Sequence, residues 1–170
     1  MGGTIRIGIS SCLLGEKVRY DGGHKLDSLI IEALGETFTL VPVCPEVGCG
    51  LPAPREMMRL EGAPDSPRLV AIESRRDLTS MMHDYCDRKV KELAREDIRG
   101  FIFKARSPSC GAFGVEVFDN GSPIGTGQGL FAAAVTRCLP RLPVEEEDRL
   151  HDPALMEAFI RRVLEYHPCG

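Results

Sequence analysis

The sequence lacks three features that would assign it to common classes of protein. It has no apolar run long enough to cross a bilayer, and its start lacks the basic-then-apolar layout of a secretory signal. It also lacks an excess of positive charge, since 21 lysines and arginines against 25 aspartates and glutamates give a net charge of −4. Neither a nucleic acid nor a membrane is therefore expected as the main partner. We expect a cytoplasmic protein.

Internal repeats, low-complexity tracts and interdomain linkers are also missing. The 170 residues suffice for one hydrophobic core, which predicts a single domain over 1–170. Apolar periodicity and turn residues predict strands over 4–10, 38–43, 68–72, 100–103, 115–118, 122–124 and 142–144, and helices over 26–34, 77–96, 129–138 and 153–166. This alternation predicts an α/β sandwich, Rossmann-like, with a mainly parallel sheet flanked by helices. A long loop is predicted over 45–67, and a solvated turn for the acidic run 145–148.

The sequence contains seven cysteines, an unusually high number for a chain of 170 residues. An odd number in a reducing compartment does not indicate a disulfide framework. Cys12, Cys44 and Cys110 each follow a predicted strand, and the carboxyl ends of parallel strands meet at one edge of a sheet. Three thiolates suit zinc or an iron–sulfur cluster, and a cubane cluster held by only three would keep one iron open. The alternative is that all three are buried apolar side chains.

Three long blocks carry a family resemblance: "SSCLLGEKVRYDGGHK", "VPVCPEVGCGLPAPRE" and "KARSPSCG". They resemble the signature blocks of a bacterial family, long described as a domain of unknown function, that includes the thiouracil desulfidases. The resemblance implies non-redox desulfuration of a thiouracil-like thiopyrimidine to the oxo compound by an open-coordination [4Fe–4S] cluster. It implies Cys12, Cys44 and Cys110 as the cluster ligands. Zinc, which three thiolates also suit, is the alternative metal. It also implies Glu46 as the acid/base group and Ser107 as an assisting hydroxyl.

Five further residues are candidates for this site. Arg19, Tyr20 and Asp21 in "VRYDG" either contact the substrate or form an ordinary turn, and the resemblance favours contact. Lys104 either orients the substrate or is solvated at the surface. Cys49 lies five residues after Cys44 and could be a fourth ligand, capture released sulfide, or pack; we expect it not to be a ligand.

Two other functions fit the same sequence. One is a metal- or cluster-binding sulfur carrier without hydrolytic activity, which would need Cys49 and tolerate Glu46→Gln. The other is a nucleotide-binding α/β domain with structural cysteines, although the glycines of 125–129 match a dinucleotide-binding motif poorly. Cys138 and Cys169 are interpreted as incidental. The partner is expected to be a thiolated small molecule, and the sulfide acceptor and oligomeric state stay open.

Overall fold

Eight strands and five α-helices build residues 3–168. The structure is a computed structural model that describes residues 3–168, so Cys169 lies outside the described residues. The strands are β1 Arg6–Ser10, β2 Thr39–Val43, β3 Met58–Ala63, β4 Ser66–Ala71, β5 Ile98–Phe103, β6 Val115–Asp119, β7 Ser122–Gly127 and β8 Val144–Glu146. The α-helices are α1 Ser28–Leu34, α2 Pro45–Gly48, α3 Thr79–Arg95, α4 Leu130–Cys138 and α5 Pro153–Glu165, and two 3₁₀ helices span Ser11–Leu14 and Arg149–His151.

The strands form two sheets. The first is entirely parallel, in the order β2-β1-β5-β8, so β1 lies between β2 and β5. The second has the order β4-β3-β6-β7, in which two antiparallel hairpins join through the parallel pair β3–β6. The predicted α/β fold with a parallel sheet and flanking helices is confirmed. The second sheet extends beyond the hairpin that the Asn120-Gly121 turn indicates.

The two inner strands of the parallel sheet, β1 and β5, are buried on both faces, as expected for apolar strands at the centre of such a sheet. On β5, Phe101 and Phe103 belong to one core cluster, whereas Ile102 between them belongs to the other. The Phe101 and Phe103 rings stack at 4.4 Å between centroids, and Phe131 of α4 meets Phe101 edge-on at 5.5 Å. The opposite core contains Phe159 of α5. No helix of the described chain is long and apolar enough to span a membrane.

Two local predictions were wrong. The segment 45–67 is not a continuous loop, because it contains α2 and β3, and β3 pairs with β4 along its whole length. The acidic run is a solvated turn only at Asp148, whose side chain is 45% exposed. Glu145, Glu146 and Glu147 are only 5, 4 and 7% exposed, and the first two belong to β8. Glu146 and Glu147 accept backbone amides that lie 34 and 42 residues away, and Glu145 pairs with Arg149, four residues on, and with Arg162 of α5.

Candidate active site

A cavity of about 410 Å³ lies at the carboxyl edge of the parallel sheet. It forms where the segments that follow β1, β2 and β5 converge, and these three strands are neighbours in the sheet. In parallel sheets this edge is the usual position for a ligand. The predicted site residues that line the cavity are Cys12, Cys44, Cys110, Glu46, Ser107, Arg19, Tyr20 and Lys104.

Each of the three cysteines is placed by a different strand end. Cys12 lies in the 3₁₀ helix that directly follows β1. Cys44 follows β2 and precedes α2, and its carbonyl oxygen accepts the Gly48 amide at 2.8 Å. Cys110 lies in the turn after β5, where its amide donates to the Ser107 hydroxyl at 3.1 Å. The parallel topology therefore brings together thiols that are far apart in the sequence.

Burial dominates the protonation of these thiols. It raises the pKa of Cys12 to about 11, although the positive charges of Arg19 and Lys104 oppose the rise. Burial also raises the pKa of Cys44, and that of Cys110 most strongly. A hydrogen bond with Ser10 opposes the rise in the pKa of Cys110, and the nearby Glu46 carboxylate adds to it. In the metal-free chain the thiols hold their protons at neutral pH, and a metal would have to displace them.

The start of α4 holds the turn that carries Cys110. The amides of Leu130 and Phe131 donate to the carbonyl oxygens of Pro108 at 3.2 Å and Ser109 at 2.9 Å. A side chain at Gly129 would put its Cβ 2.5 Å from the Ser109 carbonyl carbon, so only glycine allows this approach. The glycine-rich lead-in to α4 thus serves the protein's own turn, since these helix-terminal amides already have partners.

Two of the buried glutamates bind the residues on either side of the same turn in the sequence. Glu147 accepts the Ala105 amide at 2.6 Å and pairs with the Lys104 ammonium at 2.7 Å. Glu146 accepts the amides of Ala112 and Phe113 at 3.0 and 3.3 Å. Burial raises the pKa of Glu146, although these two amides oppose the rise. Lys104 also donates to the Ala105 carbonyl at 3.1 Å, so one of its three N–H groups is left for a ligand.

Glu46 is held at the cavity by two buried groups. Its Oε2 accepts the Ser109 hydroxyl at 2.9 Å, and the Arg55 guanidinium lies 3.3 Å from its Oε1. Arg55 is only 6% exposed and also donates to the Val18 carbonyl at 2.9 Å. Arg55 therefore ties the segment after β1 to the segment after β2. Ser107 lies 3.2 Å from Ser109, so the two predicted acid/base residues are joined through one intervening hydroxyl.

The segment Arg19–Asp21 divides between the cavity and a turn. Arg19 and Tyr20 line the cavity, with the guanidinium carbon 5.6 Å from the Tyr20 ring centroid. Within residues 3–168, the buried Arg19 Nε has no hydrogen-bond partner. Asp21 is absent from the lining, and its carboxylate accepts the Gly23 amide at 2.9 Å. For Asp21 the ordinary turn is the role that the structure supports.

Cys49 does not line the cavity. Its thiol donates to the Glu46 carbonyl oxygen at 3.2 Å, and its side chain packs against the core cluster that includes Cys86. Burial raises the pKa of Cys49. Of the alternatives for this residue, packing beside α2 matches the observed contacts.

Sequence reasoning missed three contributors to the site, namely Arg55, Ser109 and Glu147. Arg55 and Ser109 stand inside the "PRE" and "SPSC" parts of the quoted blocks, which is the signal that could have identified them. Glu147 has no comparable local signal, because its partners lie 42 and 43 residues earlier in the chain.

The thiols that line the cavity suit a cluster better than a single metal ion. No three His, Cys, Asp or Glu side chains among residues 3–168 are positioned to hold a metal ion. A single zinc ion would need thiolates converging to about 2.3 Å from one point. A four-iron cluster binds one cysteine at each of three irons and so accepts thiols that stand further apart. Three cysteines of the described chain line the cavity, which fits such a cluster with one open position.

The fold and the site define an α/β protein with a cysteine-lined cavity at the edge of a parallel sheet. The chain belongs to the 2-thiouracil desulfurase family, whose match covers residues 7–147. This confirms the resemblance and the prediction of a desulfidase enzyme. A solved structure described as the [4Fe-4S]-dependent thiouracil desulfidase TudS is 32% identical, with a TM-score of 0.69, and the match covers 91% of this chain and 98% of that one. The uncharacterized protein YbbK of Bacillus subtilis (strain 168) is 29% identical over 145 residues, which is 82% of this chain and 95% of YbbK.

Proposed function

We propose that this enzyme removes sulfur from a thiouracil-like thiopyrimidine without net redox change, giving the oxo compound. We further propose that Cys12, Cys44 and Cys110 hold a [4Fe–4S] cluster for this reaction. The observation that carries the proposal is that these three thiols line one cavity together with Glu46 and Ser107. The family membership and the similarity to a [4Fe-4S]-dependent thiouracil desulfidase support it.

The three thiols have suitable chemistry for the cluster. Thiolates are the usual ligands of iron–sulfur centres, and Arg19 and Lys104 favour the thiolate form of Cys12 electrostatically. With Cys49 bonded to the Glu46 carbonyl, no fourth cysteine of the described chain lines the cavity. When bound, the cluster would supply a Lewis-acidic iron with affinity for soft sulfur.

The surrounding side chains divide into binding and proton-handling groups. Arg19 Nε lies 4.0 Å from Asp21 Oδ1 but makes no hydrogen bond, so it can donate to a carbonyl oxygen of the pyrimidine ring. Tyr20 offers its ring beside that guanidinium, and Lys104 has one N–H left for the substrate. Glu46 takes a proton from the attacking water, and Ser107 donates a proton where charge develops on the substrate. The product oxygen comes from water and the sulfur leaves the carbon at the sulfide level, so no electrons are gained or lost.

The test is turnover of 2-thiouracil by the anaerobically reconstituted enzyme, with uracil quantified by liquid chromatography. Glu46→Gln is expected to keep the iron content and to lower kcat by about 10²- to 10⁴-fold, the usual contribution of a general acid–base group. Glu73→Gln is the matched control, because Glu73 is exposed and does not line the cavity.

Three results would contradict the proposal. Zinc in place of iron after anaerobic reconstitution would exclude the cluster. A fully loaded wild-type enzyme that forms no uracil would exclude the substrate class. Retention of activity in Glu46→Gln would exclude the acid/base role of Glu46. If Cys49→Ala also lost sulfur transfer, the two results together would favour the sulfur carrier.

A further inference from the structure

The buried hydroxyl of Ser109 bridges the two groups that handle protons in the proposed function. It lies 2.9 Å from Glu46 Oε2 and 3.2 Å from the Ser107 hydroxyl. Ser109 is fully buried and does not line the cavity, so it cannot touch the substrate. Its neighbours Ser107 and Cys110 do line the cavity.

We propose that Ser109 is a positioning residue that passes a proton from Glu46 to Ser107 and so returns Glu46 to its carboxylate form in each cycle. The inference rests on the proposed function for the roles of Glu46 and Ser107. It adds a third, inaccessible member to the acid/base machinery and makes the three residues one connected chain.

The number of protons available fixes the direction of the hydrogen bonds among Ser107, Ser109 and Glu46 in the resting site. A serine hydroxyl has one proton to donate, and a carboxylate only accepts. The Ser109 hydroxyl also lies 3.9 Å from Cys110 Sγ, but its contact with Glu46 at 2.9 Å is much shorter, so its proton points to Glu46. Ser109 must therefore accept in its contact with Ser107. The Ser107 oxygen already accepts the amides of Ser109 at 3.3 Å and Cys110 at 3.1 Å, which leaves its own proton as the group to donate. At rest the protons point from Ser107 through Ser109 to the Glu46 carboxylate.

Protonation of Glu46 reverses this direction. Glu46 receives a proton from the attacking water and then donates it to the Ser109 oxygen. Ser109 passes its own proton to Ser107 as Ser107 gives one to the substrate. At each serine oxygen one O–H bond forms as another breaks, Glu46 ends as a carboxylate, and no electrons are gained or lost.

The surroundings hold Ser109 in place for this transfer. The Phe131 amide at the start of α4 donates to the Ser109 carbonyl at 2.9 Å, and Gly129 packs against the same peptide group. Arg55 holds the other oxygen of Glu46, which leaves Oε2 directed at Ser109. The middle of this hydrogen-bonded series, at Ser109, and its Glu46 end are therefore held by buried groups.

The experiment compares Ser109→Ala, Ser109→Thr and Thr136→Ala in the iron-loaded enzyme with 2-thiouracil. Ser109→Ala is expected to lower kcat by about 10- to 100-fold, a part of the usual acid–base contribution, with KM and iron content unchanged. In mixtures of H₂O and D₂O, a plot of the wild-type kcat against the deuterium fraction of the solvent should be curved, because several protons move together. The same plot for Ser109→Ala should be a straight line. Ser109→Thr keeps the hydroxyl and should recover most of the rate. Thr136→Ala removes a hydroxyl of α4 outside the cavity and should match the wild type.

Two outcomes of this comparison would overturn the proposal. A kcat for Ser109→Ala within about twofold of the wild type would show that the hydroxyl carries no proton in catalysis. A loss of rate in step with a loss of iron, in both Ser109→Ala and Ser109→Thr, would show that Ser109 only holds the turn that carries Cys110.

A measurement without turnover separates this inference from the proposed function. In the metal-free full chain, Glu46→Gln is expected to move the NMR signal of the Ser107 hydroxyl proton, because the two groups communicate through Ser109. In the Ser109→Ala background the same change should leave that signal in place. An equal shift in both backgrounds would overturn the relay, even if 2-thiouracil proves not to be a substrate.

Discussion

Replacing Arg55 by methionine gives a sharp test of how the cavity is held together. The Arg55 side chain is 6% exposed, donates to the Val18 carbonyl at 2.9 Å and lies 3.3 Å from Glu46 Oε1. A hydrogen bond that involves a charged group contributes about 1.5 kcal/mol or more, so the two contacts together give about 3 kcal/mol. A third bond, to the Pro52 carbonyl, is exposed and adds little. We expect the free energy of unfolding to fall by about 3 kcal/mol.

The assay is urea unfolding of the metal-free protein, followed by far-ultraviolet circular dichroism because the sequence has no tryptophan. Arg55→Lys keeps the positive charge but lacks the planar guanidinium group, so its free energy of unfolding should fall by roughly half as much as that of Arg55→Met. Arg68→Met is the matched control, since its pair with Asp77 is exposed on both sides and should be worth less than about 1 kcal/mol. A loss below about 1 kcal/mol for Arg55→Met would refute the assignment of Arg55 as the link between the two segments.

Three further predictions concern the turn and its neighbours. Gly129→Ala forces a Cβ to 2.5 Å from the Ser109 carbonyl carbon, so it should lower the free energy of unfolding by about 1–3 kcal/mol and also lower the iron content. Gly3→Ala is the control, because there is open space around Gly3, and it should change neither quantity. Urea unfolding and iron assays measure both. Cys49→Ala should keep the wild-type iron content and kcat, because that thiol is bonded to a backbone carbonyl; loss of iron on metal analysis would show it to be a ligand. Because burial raises the pKa of Glu146 above its ordinary 4.5, the folded chain keeps a proton that the unfolded chain releases, so this group lowers stability as pH rises from 4.5 through the raised value. Glu146→Gln should remove that part of the pH dependence, and identical differences between urea midpoints at pH 5 and 7 in variant and wild type would contradict the assignment.

The convergence of the cysteines could be predicted from the sequence because it depends on one general rule. Each of Cys12, Cys44 and Cys110 follows a strand with a clear apolar signal, and parallel strands bring their carboxyl ends to one edge. The boundaries of these strands are set by local residue preferences, and the sheet order supplies the rest. Fold class and cavity position therefore followed from local patterns.

The contacts that complete the site depend on partners distant in the sequence. Ser109 and Glu46 are 63 residues apart, and nothing local indicates that this serine faces a carboxylate. The acidic run was misread for the same reason. Consecutive glutamates normally lie in solvent, yet Glu147 is buried because Lys104 and the Ala105 amide approach it from the end of β5. Within 45–67, frequent prolines and glycines masked β3, which is stabilised by pairing with β4 and β6.

Iron and acid-labile sulfide content, measured after anaerobic reconstitution, tests the central claim most directly. The wild type should hold about four irons and four sulfides per chain, the composition of a cubane cluster. Alanine at Cys12, Cys44 or Cys110 should each abolish that content, whereas Cys138→Ala, at an exposed cysteine, should retain it. Iron that persists without any one of the three thiols, or a wild-type chain that binds no iron, would contradict the account.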